Sequence, residues 1–94
     1  MESRWLRQAL KNLDQEAAFI AKDDPDAARL VVQRIRQTIA MLAENPALGR
    51  IGRVPGTREL VVPKTRYLIP YRVRDRRIEI LRVFHAARKP PPSW

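Results

Sequence analysis

The chain of 94 residues contains no cysteine and only one histidine. It therefore lacks a disulfide, a thiolate nucleophile and any sulfur-ligated metal site, and one imidazole is too few for a histidine zinc cage. No apolar run approaches the roughly 18 to 20 residues that a membrane helix requires, and no secretory signal is visible at the N-terminus. We expect no metal, no cofactor, no membrane partner and a cytoplasmic location.

The length and composition are those of one globular domain over residues 1–94, with a proline-rich tail (89–94) that we expect to be extended and mobile. Its charge is unevenly placed. Residues 1–48 are neutral in sum, whereas residues 49–94 carry the whole formal net charge of +9. Most of the basic residues are arginine, whose planar fork binds phosphate and carboxylate bidentately. A polyanionic target or an acidic partner is the first expectation.

The N-terminal half has the period of two amphipathic helices. Apolar residues spaced three and four apart predict a first helix over residues 4–22. Asp24 is a suitable cap and Pro25 a suitable first residue for a second helix, which continues to Glu44 and is stopped by Asn45-Pro46. Because only a few residues join them, the two helices should form an antiparallel hairpin.

After Pro46 the pattern changes to that of short strands. We predict strands over residues 58–62, 67–73 and 77–84, with a solvent-exposed hairpin turn at Arg74-Asp75-Arg76. Pro70 lacks a ladder donor, so its strand should lie at an edge or be bulged there. The predicted fold class is α+β, with the helical hairpin packed on a small antiparallel sheet of three to four strands.

Arg82 is an unusual residue for the third predicted strand. Strict alternation places it on the same side as Ile80 and Phe84, where an unpaired guanidinium would be costly. The sequence is consistent with two interpretations: an internal ion pair with Glu59, or an arginine that faces an anion in a groove.

Three other side chains are candidates for a functional role. His85 has the titration range for acid/base chemistry, although a single histidine is more often structural. Tyr67 and Tyr71 lie on one side of a strand. They are candidates for stacking on bases, but we favour rings that fill the interface between sheet and helices with their hydroxyls at its rim.

Several short motifs, in this order and spacing, together resemble the RelE/ParE superfamily of toxins from bacterial type II toxin-antitoxin modules. They extend over nearly the entire chain: Trp5 at the first helix, Asp24 to Ala28, Asn45 to Arg50, Pro55 to Leu60, Tyr71 to Val73, and Ile80 to Arg88. The resemblance implies a small basic α+β toxin. It also implies neutralisation by a cognate acidic antitoxin in a toxin-antitoxin hetero-oligomer.

The superfamily divides by target. RelE-like members cleave mRNA on the ribosome, and ParE-like members poison DNA gyrase. For the nuclease, the resemblance implies His85 or Tyr67 as acid/base and Arg58, Arg82 and Arg88 as phosphate clamps. The arginines that would bind either target are Arg58, Arg66, Arg72, Arg82 and Arg88.

One departure from the nuclease pattern decides our preference. Where many nucleases of the superfamily have a strand arginine, this chain has Leu68. Loss of a fixed positive charge at a developing phosphorane would cost several kcal/mol. We therefore favour a ParE-like gyrase poison over a RelE-like endonuclease. A plain basic nucleic-acid-binding module is a third interpretation, less favoured because no dedicated RNA-binding motif is present.

Overall fold

The computed structural model describes residues 1–94 as an α+β fold. Two helices and a short 3-10 helix lie beside a mixed sheet of six strands. The elements are β1 (Glu2–Trp5), α1 (Arg7–Ala21), α2 (Pro25–Ala40), the 3-10 helix (Met41–Ala43), β2 (Arg50–Ile51), β3 (Arg58–Val61), β4 (Tyr67–Arg74), β5 (Arg77–Ile80) and β6 (Phe84–His85).

The N-terminus differs from the prediction of a helix over residues 4–22. Residues Glu2–Trp5 form an edge strand parallel to β5, so the sheet is mixed and larger than the predicted three to four antiparallel strands. The helix begins only at Arg7, and Leu6, in its capping position, makes no side-chain cap. The sequence thus carries no local start signal there.

The second helix follows the prediction closely. Asp24 accepts a hydrogen bond from the backbone N–H of Ala27 at 3.1 Å, and Pro25 is the first helical residue. The regular helix ends at Ala40 and tightens into the 3-10 turn before Asn45. The two helices pack against each other and cover one face of the sheet.

The core lies between this helical layer and one sheet face. Helix residues that point inward, such as Leu13, Ile35 and Ile39, meet alternate residues of β3, β4 and β5. Both predicted tyrosines belong to this core, which confirms packing rather than exposed stacking rings.

The third predicted strand is broken. Ile80 pairs with Tyr71 and Phe84 with Leu68, which leaves three residues facing two on β4. This extra residue is a bulge that shifts the alternation, so Val83 rather than Arg82 follows Ile80 into the core. The bulge lies opposite Pro70, where the missing N–H donor predicted either a bulge or an edge position. The edge alternative was wrong, because β4 is a central strand.

The C-terminal tail has no helix or strand. The Trp94 ring nevertheless lies against Phe84, with centroids 5.4 Å apart, and 6.0 Å from the Arg53 guanidinium. The tail therefore contacts the sheet face opposite the helices, a contact that the proline-rich composition did not predict.

Candidate functional site

A cleft of about 240 Å³ brings four of the predicted site residues together. They are Arg66, Tyr67, His85 and Arg88, and the polar or charged lining also includes Glu16, Lys64 and Thr65. The cleft lies where β4 begins and β6 ends, beside α1. It is the part of the molecule that most resembles the nuclease site expected from the sequence.

Strand pairing positions the two aromatic groups of the cleft. Tyr67 is the first residue of β4 and His85 the last of β6, and the two are directly paired across the strands. Their rings meet edge to face with centroids 5.3 Å apart. The imidazole Nδ1 accepts a hydrogen bond from the backbone N–H of Ala87 at 3.2 Å, so the proton of the neutral ring is assigned to Nε2.

Glu16 is the acidic group at the centre of the cleft. Its side chain is only 12% exposed, and its two oxygens have different partners. One accepts from the Tyr67 hydroxyl at 2.9 Å and the other from the Arg88 guanidinium at 2.8 Å. The carboxylate thus lies between a phenol and a guanidinium, two groups that would otherwise be available to an anionic ligand.

This arrangement determines the protonation of the tyrosine. Burial, together with the hydrogen bond to Glu16 and its negative charge, raises the pKa of Tyr67 to about 12. The phenol is therefore protonated at neutral pH and donates to the carboxylate, which makes it a poor general base. His85 therefore remains the candidate for proton transfer in the cleft.

The sequence did not identify Glu16 as a site residue. Its position three residues after Leu13 and four before Ile20 places it beside the inward stripe of α1, which is an unusual place for a carboxylate. A carboxylate in that inward position was the sequence feature that could have identified Glu16. Its partners lie more than 50 residues further along the chain and have no local pattern.

The other predicted arginines do not reach this cleft. Arg58 donates to the backbone carbonyl of Gly49 at 2.8 Å and thereby holds the segment before β2. Arg72 forms an ion pair with Glu79, its neighbour across the strands, at 2.6 Å. The catalytic set that the sequence suggested is therefore divided between separate places on the sheet.

Arg82 does not form the ion pair with Glu59 that was one of its two predicted alternatives, because Arg53 and Arg50 hold that carboxylate instead. The Arg82 guanidinium donates to the carbonyl of Leu81 at 2.7 Å and has no acidic partner. Burial lowers the pKa of this group below its ordinary value. The bulge turns Arg82 away from the core, which explains how an unpaired arginine is accommodated.

A second concave surface lies on the helical hairpin. It is a groove of about 720 Å³ between α1 and α2, and its floor is formed by small apolar side chains. They are Ala17, Ala18, Ala21, Ala28 and Val32, with Arg29 and Arg36 among the residues at the sides. Leu10, Phe19 and Leu30 are also exposed on these helices, so the hairpin has apolar surface available to another chain.

The chain offers no cluster of three or more His, Cys, Asp or Glu side chains that is suited to a metal ion. No helix combines the length and the apolar character needed to cross a membrane.

Comparison with known proteins places these features in context. Residues 3–90 match the family model described as the ParE toxin of the type II toxin-antitoxin system, parDE. The Y4kP protein of Sinorhizobium fredii is 52% identical over 88 residues, which cover 94% of this chain and 91% of that protein. Toxin RelE2 of Caulobacter vibrioides is 34% identical over 84 residues, or 89% of this chain and 93% of that protein.

A solved structure agrees with these sequence relatives. A chain of the chromosomal ParDE toxin-antitoxin system from P. aeruginosa superimposes with a TM-score of 0.80 at 31% identity. The match covers 90% of this chain and 95% of that chain.

Proposed function

The chain belongs to the ParE toxin family of type II toxin-antitoxin systems, and we propose that it arrests bacterial growth by binding DNA gyrase. This action would take place in the cytoplasm and would be neutralised by a cognate acidic antitoxin. The family supports a toxin and an antitoxin partner. The choice of gyrase over mRNA is our inference from the cleft.

The observation that carries this choice is the position of Glu16. An endonuclease needs groups that are free to take a proton and to stabilise the negative charge of a phosphorane. Here the phenol of Tyr67 is held protonated, and the Arg88 charge is compensated by the same carboxylate. The geometry is that of an internally satisfied cluster, which supports a protein that acts by binding.

Leu68 supports the same conclusion. It is 6% exposed and pairs with Phe84 on the strand beside it, so the position provides neither a charge nor a polar contact. Arg58 and Arg82, two of the proposed phosphate clamps, lie outside the cleft. A lost transition-state contact of this kind typically lowers kcat by about 10² to 10³.

An mRNA endonuclease remains the second candidate function, because one observation favours it. Tyr67, His85 and Arg88 do meet in one cleft, with Arg66 and Lys64 beside them. For this function an RNA phosphate would have to displace Glu16 from Arg88, and the Nε2 atom of His85 would have to carry the proton transfer.

Induction in cells separates the two functions. A gyrase poison should induce DNA-damage signalling and loss of plasmid supercoiling, while primer extension shows intact mRNA. A ribosome-dependent nuclease should give cuts at codon positions within minutes. Glu16→Gln is a useful companion variant, because it removes the negative charge that occupies the cleft. mRNA cuts with the parent chain would favour the nuclease, whereas cuts with this variant alone would show that Glu16 prevents cleavage in the native chain.

The antitoxin is proposed to lay an amphipathic segment along the groove between α1 and α2. Its apolar side chains would contact the alanine floor, and its carboxylates would approach Arg29 and Arg36. Electrostatic steering should make the association rate fall as ionic strength rises. An association rate that is independent of salt would contradict a contact surface chosen by charge.

A further inference from the structure

The sheet face turned away from the helices carries two rows of charged residues across three neighbouring strands. The strand pairing places Arg4, Glu79 and Arg72 in one row, and Glu2, Arg77 and Arg74 in the next. These residues share a face because Ile78 and Ile80, which alternate with them, point into the core. We call Arg4, Arg72, Arg74 and Arg77 the arginine face.

The positive charge of this face is only partly compensated. Glu79 accepts from the Arg72 Nε at 2.6 Å. The hydrogen bond from Arg72, opposed by some burial and assisted by the charges of Arg72, Arg74 and Arg4, lowers the pKa of Glu79 below its ordinary value. All three arginines therefore act on one carboxylate. Arg4, Arg74 and Arg77 have no ion pair of their own.

The hairpin that joins β4 and β5 has two features that destabilise hairpins. Arg74 lies directly opposite Arg77, and like charges in that position destabilise a strand pair. The turn residues Asp75 and Arg76 have φ values of 52° and 59°, in a turn where Asn-Gly is the usual sequence. Local rules are most often broken at functional sites, so this concentration of arginine indicates a ligand.

We propose that the arginine face binds the phosphate backbone of duplex DNA. Its guanidinium groups project from hydrogen-bonded strands and can each form a bidentate contact with a phosphate. All six residues of the two rows are charged, so the rows themselves supply no apolar anchor of the kind that a protein partner needs. The apolar side chains Leu81 and Trp94 lie beside the rows, where they line a cavity with Arg72 and Arg74. Protein binding to the DNA phosphate backbone is mostly electrostatic and needs no such anchor.

This inference extends the proposed function and rests on it in one respect. A toxin bound to gyrase would lie close to the DNA that gyrase holds, and the arginine face would then contact that DNA. The helical groove on the opposite side of the sheet would remain available to the antitoxin.

Fluorescence anisotropy with a labelled duplex of about 20 base pairs, at salt concentrations from about 50 to 200 mM, tests the proposal. The variant is Arg74→Gln/Arg77→Gln, which also removes the like-charge pair and should fold at least as well. The matched control is Lys11→Gln/Lys22→Gln, two exposed residues of the helical layer. Both variants lose two positive charges, and thermal unfolding of each confirms the fold.

The expected result follows from counterion release. Each phosphate contact contributes about 0.9 to the slope of log affinity against log salt, so the arginine variant should lower the slope by about 2. At about 50 mM salt its affinity should fall roughly 100-fold, and that of the control by only a few-fold. Equal losses from both variants, or no binding by the parent chain, would overturn the proposal. Binding of a poly-glutamate peptide but not of DNA would assign the face to a protein partner.

Gyrase inhibition is measured separately with the same proteins. If the duplex does not bind while supercoiling is still inhibited, this inference fails and the proposed function stands. If the duplex binds through the arginine face and gyrase is unaffected, the proposed function fails and the DNA site stands.

Discussion

Replacement of Glu59 by glutamine should destabilise the protein in a pH-dependent way. Glu59 is 2% exposed and lies on β3. Its carboxylate accepts three hydrogen bonds from Arg53: from the backbone N–H at 2.9 Å, Nε at 2.9 Å and Nη2 at 3.0 Å. A fourth comes from Arg50 at 3.3 Å. These contacts hold the segment between β2 and β3 against the sheet.

The size of this destabilisation depends on the two arginines that would lose their charged partner. Removal of one member of a buried ion pair typically costs about 3 to 5 kcal/mol. Here the side chains of Arg53 and Arg50 are 38% and 58% exposed, so hydration of the two guanidinium groups compensates part of the lost interaction with the carboxylate. We expect the free energy of unfolding to fall by about 2 to 3 kcal/mol at pH 7. For a domain of this size that is a Tm decrease of roughly 10 to 20 °C.

The pH dependence provides the sharper test. Burial raises the pKa of Glu59, but the hydrogen bonds and charge of Arg53 and the hydrogen bond of Arg50 outweigh it. The pKa therefore lies below its ordinary value of 4.5. The contribution of this carboxylate is full above the pKa of the unfolded state and is lost as the pH falls through the folded pKa.

Urea unfolding of the parent and of Glu59→Gln should accordingly differ most at pH 7 and converge as the pH is lowered below about 4.5. Glu44→Gln is the matched control, because Glu44 is exposed and has no ion pair. A difference that stays constant down to pH 3, or one no larger than that of the control, would refute the reasoning.

Four further variants test other parts of the structure. His85→Gln should keep its toxicity in colony survival, whereas Arg82→Ala should weaken it; a folded but harmless His85→Gln would favour the nuclease. Tyr67→Phe removes the hydrogen bond to the Glu16 carboxylate and should lower the free energy of unfolding by about 1.5 kcal/mol without loss of toxicity. Arg76→Gly relieves a positive φ of 59° and should raise thermal stability by about 0.5 to 1 kcal/mol; a lower Tm would contradict this.

The elements that could be predicted from the sequence are those with local signals. Asp24 and Pro25 fix the start of α2 through a cap and a preset φ, and both act within one turn of helix. Pro70 predicted an irregularity in the ladder, because a missing donor is a property of the residue itself. The antiparallel hairpin of β4 and β5 likewise follows from alternation on both sides of a short turn.

The elements that could not be predicted depend on distant partners. β1 exists because β5 offers an edge, and residues 2–5 alone contain too few positions to distinguish a strand from the start of a helix. The bulge at Arg82 inverts the alternation after Ile80, which no count along the strand reveals. Glu16 became part of the candidate site only when the fold brought Tyr67 and Arg88 to it.

The superfamily was recognisable partly because some of its motifs, such as Asn45 to Arg50, lie in loops and turns with fixed geometry. Gly49 shows the reason. Its backbone N–H donates to the Tyr71 hydroxyl at 2.8 Å, and that hydroxyl donates to the Pro46 carbonyl at 2.7 Å. A Cβ at Gly49 would lie 2.6 Å from the Tyr71 ring, so the segment from Asn45 to Arg50 and the tyrosine depend on one another.

Supercoiling by purified DNA gyrase, measured with and without the purified toxin, tests the central claim most directly. The account predicts that the toxin inhibits supercoiling of relaxed plasmid and that His85→Gln inhibits it equally well. Addition of the cognate antitoxin should restore the activity. A toxin that leaves gyrase fully active, and instead cleaves mRNA on purified ribosomes in a way that His85→Gln abolishes, would contradict it.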